Sequence, residues 1–446
     1  MSDAPITTRT EGEIPAVADA RAEPDGHGVG NGVGVGNGVS LAKPPLPPGD
    51  EPPRAAVPDE AQQEPPVRDE PPPPPEPSPD ALLIRRTLDE IAPVADRVTS
   101  YFYALLFVYF PDLRVLFPGQ MDVQRDRLFK SLLTAAEHVD NPQKLGAYLA
   151  QLGRGHRKYG TRAEYYPAVG ECLLAALAQH ATCTWDEDTE AAWVRAYTAV
   201  SQIMIDAADE DARHTPPWWL AEVVSHDQRT SDIAIITVRP DQHYPFTPGQ
   251  YTAVETPWWP RVWRHYSFAC APRSDNLLSF HVRAVPAGWV SGALVQRARP
   301  GDVIRLGPAT GNLTVDHDTD NALLFLGGGT GIAPIRALVE DVAKHTPSVG
   351  WHRRVELFYG ARRPDDLYDM DTQRRWEQAY PWLTLHPVVG DLPAAVGQHG
   401  PWPGFTAYLA GPLGMVRSGV AALAASGIPE QRIHHDSLEE LLYYGK

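Results

Sequence analysis

Between residues 80 and 212, apolar positions recur at the spacing of amphipathic helices. Ile84, Leu88 and Ile91 form one stripe. After Pro93, a second runs through Val94, Val98, Phe102 and Leu105. Pro111 opens a short turn holding Leu113, Leu116 and Phe117. Gln124, Leu128, Leu132 and Ala135 share a face, as do Leu145, Leu149, Leu152 and His156. Pro167 starts a helix with Val169, Leu173 and Leu177, and Trp193, Tyr197, Val200 and Met204 mark the last one. The pair Ser78-Pro79, a capping hydroxyl before a first-turn proline, sets the start. No strand pattern intervenes, so this stretch is an all-α domain. From Ala221 the period shortens. Glu222 to Val224, Ile233 to Val238, Tyr251 to Glu255, Leu278 to Val285 and Asp302 to Leu306 read as evenly spaced strands, which predicts a small antiparallel β-barrel. Near Asp320 the pattern changes again. A buried strand at Leu323 to Leu326 runs through a glycine-rich turn into a helix ending near Val342. Strands at Val355 to Tyr359 and Ala407 to Ala410 follow. This alternation predicts a parallel α/β domain.

Composition adds a fourth region. Residues 1–78 are low complexity, with Gly-Val-Gly-Asn repeats and then proline clusters. They read as a disordered tail that buries too little apolar surface to offset its ordering entropy. The expected order is a tail (1–78), a helical domain (79–212), a barrel (213–318) and an α/β domain (319–446). A net charge of −17 without a basic stripe argues against nucleic acid as a partner. Cys172, Cys183 and Cys270 are scattered, with neither a CxxC pair nor an even framework, and point to a reducing cytoplasm. Tyr101 to Phe110, the most apolar stretch, is too short to span a bilayer and reads as a buried helix, so no integral membrane segment is expected. The sequence names no protein partner for the tail.

Three places hold residue types suited to chemistry. His156 completes an apolar helix face and needs a polar partner there, either a backbone carbonyl or a metal. Arg264-His265-Tyr266-Ser267 lies among the strands, with Pro248-Gly249-Gln250-Tyr251 upstream and Ala287-Gly288-Trp289-Val290-Ser291 downstream at a helix start. Gly327-Gly328-Gly329-Thr330-Gly331-Ile332-Ala333-Pro334 joins strand to helix, where bare backbone can approach phosphates. Arg362 and Arg363 follow the next strand. They would suit a 2′-phosphate or form a solvated turn.

The helical segment resembles the globin domain of the flavohemoglobins, on Phe102-Tyr103, Pro111-Asp112-Leu113, Phe117, Gln124-Arg125, Leu128-Phe129, and His156 followed by Tyr166-Pro167 and Val169-Gly170. Arg264-x-Tyr-Ser and the Gly-x-Gly-x-x-Pro run resemble the ferredoxin-NADP reductase superfamily, which supplies the other half of that family. The resemblance implies haem b, with His156 as the iron ligand. It also implies Tyr103 and Gln124 over bound oxygen, Phe117 and Leu128 as apolar walls, and Tyr166 as a partner of His156. For FAD it implies Arg264 on the pyrophosphate with the helix start at Gly288, Val290 and Ser291. Tyr251, Tyr266 and Ser267 would lie against the ring. For NADH or NADPH it implies Gly327, Gly329, Thr330, Gly331 and Pro334, with Gly411 and Pro412 beside the nicotinamide; the family's habit favours NADH. The implied activity is a nitric oxide dioxygenase turning NO and O2 into nitrate. The alternatives are a haem and flavin reductase for peroxides, quinones or another acceptor, and a haem-based oxygen or redox sensor. Three positions depart from the family. Ala208 stands where a Glu would bond the proximal His, and Ala410 stands where a Cys precedes Gly-Pro. Asp436-Ser437-Leu438 replaces Glu-Cys-Phe, leaving Tyr443 or Tyr444 to cover the flavin.

Overall fold

The computed structural model describes residues 77–139, 141–345 and 353–436. Apart from Pro77 and Ser78, the expected tail lies outside the described residues. So do Ser437, Leu438, Tyr443 and Tyr444.

The first domain is helical: α1 (Pro79–Ile91), α2 (Ala95–Tyr109), α3 (Asp122–Glu137), α4 (Pro142–His156), α5 (Tyr166–His180) and α6 (Glu187–Ala212). The Ser78 hydroxyl accepts from Ala81 N–H and caps α1, as its position in the sequence predicts. Asn141 and Asp186 cap α4 and α6 in the same way. Ile84, Leu88, Ile91, Phe102, Tyr103 and Leu106 build the core with Leu173 and Leu177. Two glycines set how closely helices approach. A Cβ on Gly153 would strike the Met204 carbonyl oxygen of α6 at 2.2 Å, and one on Gly170 would meet the Tyr197 ring at 2.4 Å. The helical run Pro79–Tyr109 has the length and apolarity to cross a membrane, but it is interrupted by a 3-10 turn at Ala92–Val94. Ile84, Leu88, Ile91, Val98, Phe102, Tyr103 and Leu106 of this run pack into the core of the domain. Leu82, Tyr101, Val108 and Tyr109 are exposed, so the stretch expected as a buried helix is buried on one face.

The second domain is a six-stranded antiparallel sheet: β1 (Trp219–Gln228), β2 (Ile233–Pro240), β3 (Tyr251–Glu255), β4 (Trp263–Ser267), β5 (Leu278–Arg283) and β6 (Val303–Thr310). The strand order is β4-β3-β6-β1-β2-β5, and a bridge between Phe268 and Phe280 links the two outer strands into a barrel. β1 begins earlier than its alternation suggests because Trp219 pairs with Leu306 of β6. A short helix, α7 (Trp289–Gln296), covers one end.

The third domain alternates strand and helix: β7 (Ala322–Gly328), α8 (Ile332–His345), β8 (Val355–Ala361), α9 (Met370–Ala379), β9 (Leu383–Val389), α10 (Leu392–His399), β10 (Phe405–Ala410), α11 (Leu413–Ala425) and β11 (Ile433–His435). Its sheet is parallel, in the order β11-β10-β7-β8-β9. The sequence pattern marks β7, β8 and β10 but not β9 or β11, whose residues are mixed polar and apolar. The sheet is doubly wound, with separate apolar clusters around Leu323, Ile335 and Tyr359 and around Leu324, Leu326 and Val396.

Candidate functional site

His156 ends α4, and its Nδ1 lies 2.7 Å from the Leu152 carbonyl one turn back. That carbonyl can only accept, so Nδ1 carries the proton and Nε2 keeps its lone pair. Burial lowers the imidazole's pKa below its usual value, which favours the neutral ring a metal requires. The two readings of this histidine, carbonyl-bonded and metal-ligating, are therefore compatible. No hydrogen bond joins Tyr166 to His156 among the described residues. The Tyr166 backbone carbonyl accepts from the Tyr197 hydroxyl at 2.6 Å, and burial raises the Tyr166 hydroxyl to about 12. The partner that fixes the His156 ring is Leu152. On α6, Asp206 accepts from Gln202 and Asp211 pairs with Arg157. Ala208 lies one turn beyond Met204 and presents no acid.

Tyr103 and Gln124 come near each other: burial raises the Tyr103 hydroxyl's pKa, and the neighbouring Gln124 side chain opposes that rise. Phe117 meets the Tyr103 ring edge-on at 5.5 Å, and Leu128 packs against the same cluster. This gives a polar pair set in an apolar wall.

In the barrel, β4 pairs with β3 so that Tyr251 faces Ser267 and Val254 faces Arg264. The Tyr251 ring lies 5.0 Å from His265. Tyr266 packs on the barrel core beside Ile236, Val254 and Phe280, with part of its surface left accessible. Gly288 is the N-cap of α7, where a Cβ would strike Ser291 Oγ at 2.4 Å and Val285 O at 2.9 Å. The Ser291 hydroxyl donates to Gly288 O, and Val290 is buried.

In the nucleotide domain, Gly327 and Gly328 end β7 and Gly329–Gly331 forms one 3-10 turn before α8. A Cβ on Gly331 would lie 2.2 Å from Ala410 O and 2.6 Å from Gly411 Cα. Only glycine allows the turn after β7 and the end of β10 to meet, and Pro412 then caps α11. Thr330 stays partly exposed in this cradle, and Pro334 is buried in the first turn of α8. Arg363 pairs with Asp366, whereas Arg362 is exposed and forms no ion pair among the described residues.

One grouping escapes the sequence altogether. Arg127 and Lys158 of the helical domain face Arg264 and His265 of the barrel. Burial first, then the neighbouring cations, lowers the Lys158 ammonium to about 8 and His265 to about 3, and also lowers Arg264. Lys158 and Arg264 have no carboxylate partner among the described residues; Arg264 only touches its neighbour's carbonyl, Trp263 O, at 2.9 Å. Like charges gathered in a half-buried place call for anions. Propionates and a pyrophosphate meet that need, so the cation cluster fits haem and FAD, while the free Nε2 of His156 fits iron.

A globin-like domain with an open histidine nitrogen, joined to a flavin-type barrel and a dinucleotide cradle, defines a haem-containing oxidoreductase of the reductase type. Family profiles agree with each part: Globin over residues 100–204, Oxidoreductase FAD-binding domain over 220–314, and Oxidoreductase NAD-binding domain over 325–419. The flavohemoprotein of Chromobacterium violaceum is 26% identical over 397 residues, covering 79% of this chain and 96% of its own. That of Bordetella pertussis is 26% identical over 394 residues, with the same coverage. The naphthalene 1,2-dioxygenase system ferredoxin–NAD(P)+ reductase component of Pseudomonas putida is 30% identical over 247 residues, covering 53% of this chain and 73% of its own. In fold, the chain is similar to a flavohemoglobin from Malassezia yamatoensis, with a TM-score of 0.64 and 17% identity over 80% of this chain and 98% of that one. The chain belongs to the flavohemoglobin family, whose cofactors are haem, FAD and a nicotinamide dinucleotide.

Proposed function

We propose that this chain is a nitric oxide dioxygenase that uses NAD(P)H to turn NO and O2 into nitrate in the cytoplasm. Hydride acceptance, one-electron delivery and oxygen chemistry are what FAD and haem supply when bound. The chain's own residues do the rest. His156 would hold iron through Nε2, with Leu152 O fixing the tautomer. Tyr103 and Gln124 offer hydrogen bonds where negative charge develops on oxygen, inside the apolar wall of Phe117 and Leu128. Arg264 and the start of α7 at Gly288 would grip the pyrophosphate, while Tyr251, Tyr266 and Ser267 would border the flavin ring. The Gly331–Gly411 contact leaves bare backbone for the dinucleotide phosphates.

The observation that carries this reading is the nearness of Tyr103 and Gln124, two polar side chains set among Phe117 and Leu128 on the helical domain of a chain that also has FAD- and NAD-binding parts. The balance is simple. A hydride brings two electrons, and each NO with one O2 takes one electron to become nitrate. Nitrate should therefore form at twice the NAD(P)H consumed when NO is supplied in air. Consumption of NAD(P)H without nitrate would overturn the assignment. One observation favours a second reading, reduction of a different acceptor: α6 presents Ala208, not an acid, so the proximal imidazole gains no added donor strength from that helix. The same assay separates the two readings.

A further inference from the structure

We propose that His317, Asp341 and His345 form a binding site for a divalent transition metal such as zinc. Asp341 and His345 lie one turn apart on α8, so both point to the same side of the helix. His317 arrives from the connector between β6 and β7. Its Nε2 lies 2.8 Å from Asp341 Oδ2, and His345 Nδ1 lies 3.3 Å from Asp341 Oδ1. The two imidazoles stack with centroids 3.9 Å apart and planes 25° from parallel. One ligating atom from each of the three residues lies within 4.8 Å of the other two. Zinc bonds to nitrogen and oxygen are about 2.0–2.2 Å, so neighbouring ligand atoms in a tetrahedral site sit roughly 3.3 Å apart. The cluster is already near that size.

The donor types choose the ion class. Two imidazoles with one carboxylate suit zinc, nickel or cobalt better than calcium or magnesium, which prefer all-oxygen shells. The carboxylate is nearly buried, with its side chain 11% exposed, whereas His345 is 56% exposed. Protein therefore supplies three ligands from one side and leaves a fourth position to water. Ligation by His317 Nε2 needs a tautomer exchange, with the proton moving to Nδ1. His345 Nδ1 bonds the Asp341 backbone carbonyl at 2.9 Å, so His345 ligates through Nε2 or gives up that bond. The place is separate from the dinucleotide cradle. The cradle meets the N-terminal end of α8 at Ile332, and the cluster lies at the other end, roughly 20 Å away at 1.5 Å per residue. A metal here would tie the connector to α8. The other end of that connector reaches Gly311, which lies against the Tyr251 ring.

The test uses the full chain carrying its haem and FAD, stripped of loose metal by a chelator and then titrated with Zn2+ by calorimetry. One tight equivalent is expected. Zinc-edge X-ray absorption should show two imidazoles and oxygen neighbours, and amide exchange should slow in residues 312–321. The His317→Ala/His345→Ala double variant changes two partly exposed side chains. It should lose that equivalent, with affinity falling by at least ~10–100-fold, the range known for outer-shell partners alone. Retained tight zinc in the double variant, or an all-oxygen shell in the parent, would overturn the site. So would absence of a tight equivalent. Asp341→Asn, checked for retained fold by circular dichroism, should weaken zinc without removing the imidazole signal.

Discussion

Where the barrel meets the nucleotide domain, buried polar groups interlock. His281 of β5 bonds the Tyr368 hydroxyl at 2.8 Å and Arg336 of α8 at 3.1 Å, and Arg336 pairs with Asp369 at 3.3 Å. Arg283 bridges Asp232 and Asp366, Arg273 pairs with Glu340, and Ile233 joins the nucleotide-domain core. Where the barrel meets the globin domain, the contacts are of another kind. Arg261 donates to the Val115 and Tyr159 carbonyls at 3.1 and 3.2 Å. Tyr159 meets Trp263 edge-on at 6.4 Å, and the Lys158 ammonium lies over both rings. The first junction satisfies its own charges. The second gathers cations that suit anionic cofactors. The two reductase halves are thus fastened by paired charges of the protein, whereas the cations at the globin joint would be balanced by the propionates and pyrophosphate they fit.

The sharpest way to separate the halves is His156→Ala. The Soret band and NO consumption should fall to background, while flavin reduction by NAD(P)H continues. Loss of flavin reduction as well would mean that the reductase depends on the globin. Next is Arg336→Met, which leaves the Asp369 carboxylate buried without its cation. This should cost about 3–5 kcal/mol in a denaturant titration that follows the reductase half. A change under about 1 kcal/mol would mean the network is no fastening at all. Smaller again is Arg261→Ala, which removes two neutral-acceptor hydrogen bonds worth about 1–2 kcal/mol together. It should slow haem reduction after flavin reduction in stopped-flow measurements and leave the flavin step unchanged. The smallest effect is acid sensitivity. Hydrogen bonding from Arg363, then the Arg283 charge, holds the Asp366 carboxyl below its usual 3.8. Its folded pKa is depressed, so its contribution is present above 3.8 and is lost as pH falls through the folded value. Asp366→Asn should flatten that part of the pH–stability curve.

The helices, the barrel strands and the strand–glycine–helix cradle were legible because each is written in local spacing. Apolar stripes give the helix faces, and Gly331 lies in a run whose only use is close backbone approach. His156 was legible as an inward histidine, but its Leu152 bond was one of two readings. The junctions were not legible. Arg261 reaches a carbonyl more than a hundred residues away, and Lys158 looks like any helix-end cation until the fold brings Trp263 and His265 beside it. Arg261 also takes a left-handed backbone, φ 66°, with its N–H held by the buried Glu255 carboxylate, and nothing in its neighbours' polarity signals that.

The Ala410–Gly411 step beneath the cradle has a chemical corollary. On the proposed reading the enzyme would meet nitrosating and oxidising agents, and a sulfur at the end of β10 would be open to them. Here that position is a methyl group. Two of the three thiols, Cys172 and Cys270, are shut inside the protein, and the exposed Cys183 belongs to the globin domain. Alkylating reagents should therefore label the folded chain at Cys183 while hydride transfer goes on undiminished.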